Sequence, residues 1–434
     1  MGLKPQAVGK LLIITSNFFP DPVVGAVRAT QWARLLPEHG WQVDVARKHH
    51  GYSATGAEVS EAVHPHIKVH FISHAPSPFT ARRLGRLGPA KNAFAGFMGR
   101  FMAPDTGILF WTTVGDRLAR LVGEIRPDAV ITTGPPHSVH TAGMRLKKSF
   151  PDLCWVADFR DVYHAHMRRE AGWMECCKTR GSLRHEAEVY RAADHITCTF
   201  PAHKRWIARR FPAVAGKTTV VTNGVPSEIA PMEPSREPGR QPGWIKVVGF
   251  SEAPETVALA SAVAAVRRSG EAIGLRIVGR PPSVRPEITK ILGSGAEFMG
   301  MVAHARALEE IASARILVTV LSEQRSCIPA IASKLFEYLA IPAPVIVLNP
   351  SNAARTMFSR LSGLWMLTKP APAGIEAAIL AALRAPEDEL RRRALLVRER
   401  WSRSAQAAQL ASILDDLVKK RDVSLETRQA APGE

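Results

Sequence analysis

The residues best suited to chemistry are Lys334 and Glu337, in the run Ser333-Lys334-Leu335-Phe336-Glu337-Tyr338-Leu339-Ala340. On a helix, their spacing sets ammonium and carboxylate on one face. A helix start at Ser333 offers free N–H groups beside Lys334, a combination suited to phosphate. One turn further in, the carboxylate of Glu337 can accept hydrogen bonds from a ribose diol. Together they read as a nucleoside-diphosphate site. The alternative is an ordinary amphipathic helix with a surface Lys–Glu pair, and local physics leaves both open.

The elements that must position these residues follow from apolar patterning. Pro344-Val345-Ile346-Val347-Leu348 reads as a buried parallel strand. In the first half, strands are expected at 11–15, 42–46, 67–72, 129–132, 155–157, 195–199 and 218–221. A helix over 27–39 sets Arg28, Gln31, Arg34 and Glu38 opposite Ala29, Trp32, Ala33 and Leu36, and Gly40 closes it. Five prolines punctuate residues 226–244, after which the alternation restarts with strands at 245–250, 275–278, 316–321 and 345–348. The expectation is an α/β protein of two Rossmann-like, doubly wound domains facing an interdomain cleft. Residues 1–225 form the first domain, 226–244 a linker and 245–420 the second, with a terminal helix over 388–420 and a polar tail from 421.

At 434 residues, 46% hydrophobic and 22% charged, the chain is globular and long enough for two cores. It shows no signal-peptide pattern and no apolar run long enough to span a bilayer. Five cysteines without a C-x-x-C pair argue against structural zinc or a disulfide framework, and a cytoplasmic location is expected. The net charge of +18 is uneven: residues 1–225 hold 30 Lys and Arg against 17 Asp and Glu, a balance of +13. An acidic partner for that half is expected. Nucleic acid is not, because only four tyrosines are present and the tryptophans fall mostly in elements read as buried.

The Lys334–Glu337 segment resembles the donor-site helix of family 4 glycosyltransferases. The likeness continues, in the family's order, through Leu11–Thr15, Phe18-Phe19-Pro20-Asp21-Pro22 with Gly25, Val156-Ala157-Asp158-Phe159-Arg160-Asp161, Ala193–Ile196, Thr222-Asn223-Gly224-Val225 and Ile277-Val278-Gly279. It implies a GT-B fold and retaining transfer from a nucleotide-diphosphate sugar without an obligatory metal; no D-x-D motif is present. It also implies a terminal helix that crosses back to the first domain. By the resemblance, Ser333, Lys334, Leu335, Glu337, Gly249 and Gly25 belong to the donor site, and Arg28, one turn into the helix after Gly25, faces either the donor phosphates or solvent. Asp158, Arg160 and Asp161, of the family's Asp-Phe-Arg-Asp branch, stand where acceptor or donor sugar is contacted, and His137 ends another strand nearby. As a lesser reading, the carboxylates and Arg160 brace the loop internally. Two positions depart from the family. The commonest version has Glu eight residues before the position of Glu337, where this chain has Pro329. The usual Arg and Lys of the second domain's first loop are replaced by Gly249-Phe250-Ser251-Glu252-Ala253-Pro254-Glu255, so Arg280 is the candidate second cation.

The stretch from Phe79 to Arg100 mixes Arg82, Arg83, Arg86, Lys91 and Arg100 with aromatics. It reads as an interfacial contact with an anionic membrane, as a cationic acceptor-binding loop or as a solvated loop. The expected partners are a nucleotide-sugar donor and a glycan, lipid-linked or small-molecule acceptor, in polysaccharide or lipopolysaccharide biosynthesis, with transient contact at the inner membrane face. A non-catalytic scaffold and a nucleotide-sugar epimerase are the rival readings.

Overall fold

The computed structural model describes residues 9–21, 23–49, 55–73, 102–162, 173–229, 243–249, 254–321 and 330–430. The basic stretch 79–100, Pro329, residues 250–253 of the acidic loop and residues 230–242 of the proline-rich segment lie outside them. The chain divides into two compact units, Met1–Thr222 with Gln406–Glu434, and Asn223–Ala405. Each is a parallel sheet covered by helices on both faces.

The first sheet contains β1 (Gly9–Thr15), β2 (Trp41–Lys48), β3 (Lys68–Ile72), β4 (Ala129–Gly134), β5 (Cys154–Phe159), β6 (His195–Cys198) and β7 (Thr218–Val220), in the order β3-β2-β1-β4-β5-β6-β7. Strand β1 is apolar from Leu11 to Ile14 because alternate residues feed different cores. Leu11 and Ile13 pack with Trp32, Leu410 and Leu414, whereas Leu12 and Ile14 pack with Trp111 and Trp155.

The second sheet comprises β8 (Gly243–Val248), β9 (Ile273–Val278), β10 (Ala296–Gly300), β11 (Ile316–Val320), β12 (Val345–Leu348) and β13 (Leu364–Leu367), in the order β10-β9-β8-β11-β12-β13. In both sheets the strand order reverses once, between β1 and β4 in the first and between β8 and β11 in the second.

The C-terminal run is two helices, Glu387–Trp401 and Arg403–Ala430, not the single one expected. They break at Ser402, which is extended and bridges Val225: the Val225 N–H donates to Trp401 O (2.7 Å) and the Arg403 N–H to Val225 O (3.0 Å). The last helix then returns to the first unit. There Trp41 Nε1 donates to Asp415 (3.0 Å) and Arg421 pairs with Asp128 (3.2 Å), so helix continues to Ala430 through residues read as a polar tail.

Candidate functional site

In doubly wound sheets, ligands bind at the carboxyl ends of the strands where the order reverses. In the second unit β8 ends there, and the chain turns at Gly249 with φ of +113°; Gly279, after β9, has φ of +131°. A Cβ on Gly249 would stand 2.7 Å from Lys334 Cε, and one on Gly279 would stand 2.7 Å from Gly249 O. The stem of Lys334 therefore lies across the Gly249 turn. Tyr338 holds it there: its buried hydroxyl donates to Val248 O (3.0 Å) and accepts from Val248 N–H (2.9 Å). Burial raises the pKa of this phenol. From the helix Glu387–Trp401, buried Arg393 donates to the carbonyls of Leu339 (3.2 Å) and Ala343 (2.8 Å), securing the far end of the site helix.

Glu337 is 6% exposed, and among the described residues its Oε2 has no hydrogen-bond partner. Lys334 Nζ stands 3.9 Å from that oxygen, an ion-pair distance beyond hydrogen-bond reach. Leu335 differs from expectation. Its side chain is core, at 2% exposure, and its N–H is already bonded to Ala332 O (3.0 Å), so neither faces a ligand. Ser333 opens the helix half-buried; at seven residues, Ser333–Leu339 is too short for its dipole to matter much. Arg280 is exposed at the end of β9. Of the acidic loop, Glu255 turns toward Asn349, whose Nδ2 donates to it at 2.7 Å and to Leu321 O at 3.1 Å.

In the first unit, the corresponding end of the sheet is dominated by internal bonds. Asp158 lies inside β5, not in the loop after it, level with Thr133 of β4 and Thr197 of β6. Both threonine hydroxyls donate to its carboxylate at 2.7 Å, and Arg28 donates through Nε (3.1 Å) and Nη2 (2.9 Å). Four donors use the lone pairs of a fully buried carboxylate, leaving none for a substrate hydroxyl. Arg28 also turns inward from the polar face read for it. It donates to Val221 O (2.7 Å) and Thr222 O (2.8 Å), and its guanidinium stacks 4.3 Å over Trp32.

Arg160 knits the surrounding loops by donating to the carbonyls of Gly25, Gly134 and Pro135. Burial lowers the Arg160 pKa, against the opposing charges of Asp158 and the half-buried Asp161 that follows it. His137, 8% exposed, stacks on Phe159 with ring centroids 5.7 Å apart, and His140 stacks on the same ring at 4.3 Å. Trp155 Nε1 donates to Thr132 Oγ1 (2.9 Å), and the same hydroxyl lies within hydrogen-bond distance of His140 Nδ1 (2.8 Å). Burial, then the neighbouring His137, His185 and Arg160, holds the His140 pKa well below its ordinary value.

The residues that sequence reasoning passed over are the clamps: Tyr338, Arg393, Thr133, Thr197 and the buried pair Arg47–Asp21 (2.8 Å). Tyr338 was adjacent to Glu337 in the quoted run. The two arginines sit in stretches rich in other arginines or apolar residues and carried no signal of their own. Among the described residues, no group of three or more His, Cys, Asp and Glu is placed to hold a metal ion, and no helix is long and apolar enough to cross a membrane.

No protein-family model and no curated protein matches the chain. Solved structures do. Sucrose-phosphate synthase from Thermosynechococcus elongatus is 15% identical with a TM-score of 0.66, over 95% of this chain and 99% of that one. Anabaena HepE, solved in complex with UDP and glucose, is 14% identical with a TM-score of 0.61, over 94% and 99%. The lipopolysaccharide outer core galactosyltransferase WaaB is 12% identical with a TM-score of 0.59, over 93% and 99%. At these identities the likeness establishes the fold, two Rossmann-like domains of the GT-B type.

Proposed function

We propose that the chain is a retaining glycosyltransferase that takes its sugar from a nucleotide-diphosphate donor, without an obligatory metal. The acceptor is a glycan, a lipid-linked sugar or a small molecule, and the role is polysaccharide or lipopolysaccharide assembly at the inner face of the cell membrane. The observation that carries the reading is the buried Glu337 Oε2, which among the described residues has no hydrogen-bond partner, beside Lys334 and the Gly249 turn. A buried acceptor without a donor costs free energy unless a ligand satisfies it, and a ribose diol supplies two hydroxyl donors. Lys334 and Arg280 supply positive charge for the diphosphate, which gains negative charge as it leaves. In the transfer the bond from C1 to the phosphate oxygen breaks and a bond from C1 to the acceptor oxygen forms. The acceptor proton passes to the leaving phosphate. Asp161 and His137 are the first-unit groups proposed to meet the acceptor; Asp158, Arg28 and Arg160 brace the strand ends and loops of that unit.

The test is a thermal-shift screen against UDP, GDP, dTDP, ADP and CDP with Glu337→Gln alongside. A ligand at about 100 times its dissociation constant adds about 2.7 kcal/mol. One nucleotide should stabilise the wild type, and the variant only by about 0.4–1.4 kcal/mol. No shift with any of them would favour the scaffold reading, and product formed without an acceptor would mark an epimerase.

A further inference from the structure

A cavity of about 440 Å³ lies between β3, which ends the first sheet's strand order, and the helix Gly115–Ile125. The helix lines it with Arg117, Arg120, Leu121 and Glu124, spaced so that all four share one face. Arg117 Nη1 donates to Ser73 Oγ (3.3 Å). Arg120 and Glu124 are exposed and four residues apart, yet among the described residues their side chains make no ion pair or hydrogen bond. The face thus carries positive charge at one end and negative charge at the other, with Leu121 between.

The strand lines the cavity with the side chains of His70 and Ile72 and the main chain of Phe71. The Phe71 ring lies on the opposite face of the sheet, under the Arg47 guanidinium (5.3 Å) and edge-on to His49 (5.2 Å). The His70 ring is fixed: its Nε2 stands 2.7 Å from Oδ1 of Asp44, a carboxylate of β2 that is 4% exposed. Ile72 O accepts the His49 N–H (2.9 Å), so the main chain of Ile72 faces β2 and that of Phe71 faces the open edge. Val69 faces the same edge but is closed by the helix Gly56–Val63, where Ser60 Oγ accepts its N–H (2.9 Å). Among the described residues nothing bonds to the Phe71 N–H or C=O. Edge groups of this kind are templates for an added strand.

We propose that this cavity binds a free dipeptide, with its ammonium group on Glu124, its carboxylate on Arg117 and Arg120, and its amide on the Phe71 main chain. From Arg120 to Glu124 the helix advances about 6 Å, and two residues of extended chain span about 7 Å. Arginine forks take carboxylates in bidentate geometry. Apolar side chains on the dipeptide meet Ile72 and Leu121. A bare anion would leave Glu124 and the Phe71 main chain unanswered, and a segment inside a longer chain lacks the two charged ends. The site stands apart from the glycosyltransferase reading, because all its residues belong to the first unit and none has a part in the donor site.

The experiment is calorimetric titration of the full chain with leucyl-leucine, using wild type, Arg120→Gln and Glu124→Gln. Both positions are exposed, so the variants should fold. N-acetyl-leucyl-leucine, leucyl-leucine amide and inorganic phosphate serve as comparison probes. Leucyl-leucine should bind the wild type, and each variant about tenfold more weakly, the loss of one charged hydrogen bond. The two blocked peptides should lose about as much. The losses should not add: Glu124→Gln should not weaken the acetylated peptide further, nor Arg120→Gln the amide. No binding of leucyl-leucine to the wild type, equal binding to all three proteins, or fully additive losses would each overturn the proposal. Inorganic phosphate binding as tightly as leucyl-leucine would also overturn it and make the cavity a simple anion site.

Discussion

The two sheets share a plan, yet the ends of their strands treat charge in opposite ways. In the first unit Asp158 is closed off by Arg28, Thr133 and Thr197, Arg160 by three carbonyls, and Arg47 by Asp21 and the Phe18 and Phe19 carbonyls. In the second, Glu337 has, among the described residues, no hydrogen bond to its Oε2, and the Lys334 side chain stays 37% exposed. Charges that satisfy one another fix loops; charges left open are available to a ligand. The family resemblance treated Asp158 and Glu337 alike, as ligand-facing carboxylates. Their surroundings give them different work.

The strongest test of this contrast is Arg28→Met. It leaves the Asp158 charge buried beside two hydroxyls, and removing one partner of a buried pair costs about 3–5 kcal/mol. Chemical denaturation should show that loss, and Arg28→Met/Asp158→Asn should recover part of it. Unchanged stability together with lost nucleotide binding would return Arg28 to the donor site.

The next effect comes with pH. His185, 9% exposed and bonded to Thr141 Oγ1 (2.8 Å), has its pKa lowered to about 4, chiefly by burial. Its folded value lies below the unfolded one near 6.5, so the neutral ring stabilises the fold above pH 6.5. That stability is lost as pH falls toward 4. The size is about 3 kcal/mol. Denaturation across this window should slope accordingly for the wild type and less for His185→Gln. Parallel slopes would remove His185 from the account.

How much of this was legible depended on where an element sits. Central strands such as β1 and β12 announced themselves as continuous apolar runs because helices cover both their faces. The edge strands β10 and β13 did not. Each is half-exposed along its length, and Glu297 and Gly300 in β10 break any apolar period. Asp158 looked like a loop residue because a charge seldom continues a buried strand. Only threonines 25 and 39 positions away, together with Arg28, allow it to. The break at Ser402 was likewise set by a partner, Val225, far away in sequence. The Lys334–Glu337 spacing was visible because its geometry is local. That Glu337 is buried was not, since burial is set by the tertiary packing of the unit and not by the local spacing.

Tyr338→Phe has a smaller effect on folding. It strips both bonds from Val248, leaving a buried N–H and C=O unpaired at a cost of about 1–3 kcal/mol. Because the same hydroxyl ties the Lys334 helix to the Gly249 turn, the nucleotide shift should also shrink. A loss of stability with the shift intact would make Tyr338 a packing residue only.

Glu337→Gln should change folding least and ligand binding most. The substitution preserves shape and removes a charge that, among the described residues, accepts no hydrogen bond at Oε2. The ion pair it gives up with Lys334 is long, at 3.9 Å, so the free protein should lose less stability than the variants above. The bound state differs. Hydrogen bonds to a charged acceptor contribute about 1.5–3 kcal/mol, roughly ten- to a hundredfold in affinity. In the first unit the equivalent change, Asp158→Asn, should invert the pattern, costing stability and sparing nucleotide affinity. If both variants behaved alike, the contrast between a saturated first unit and an open second one would be wrong.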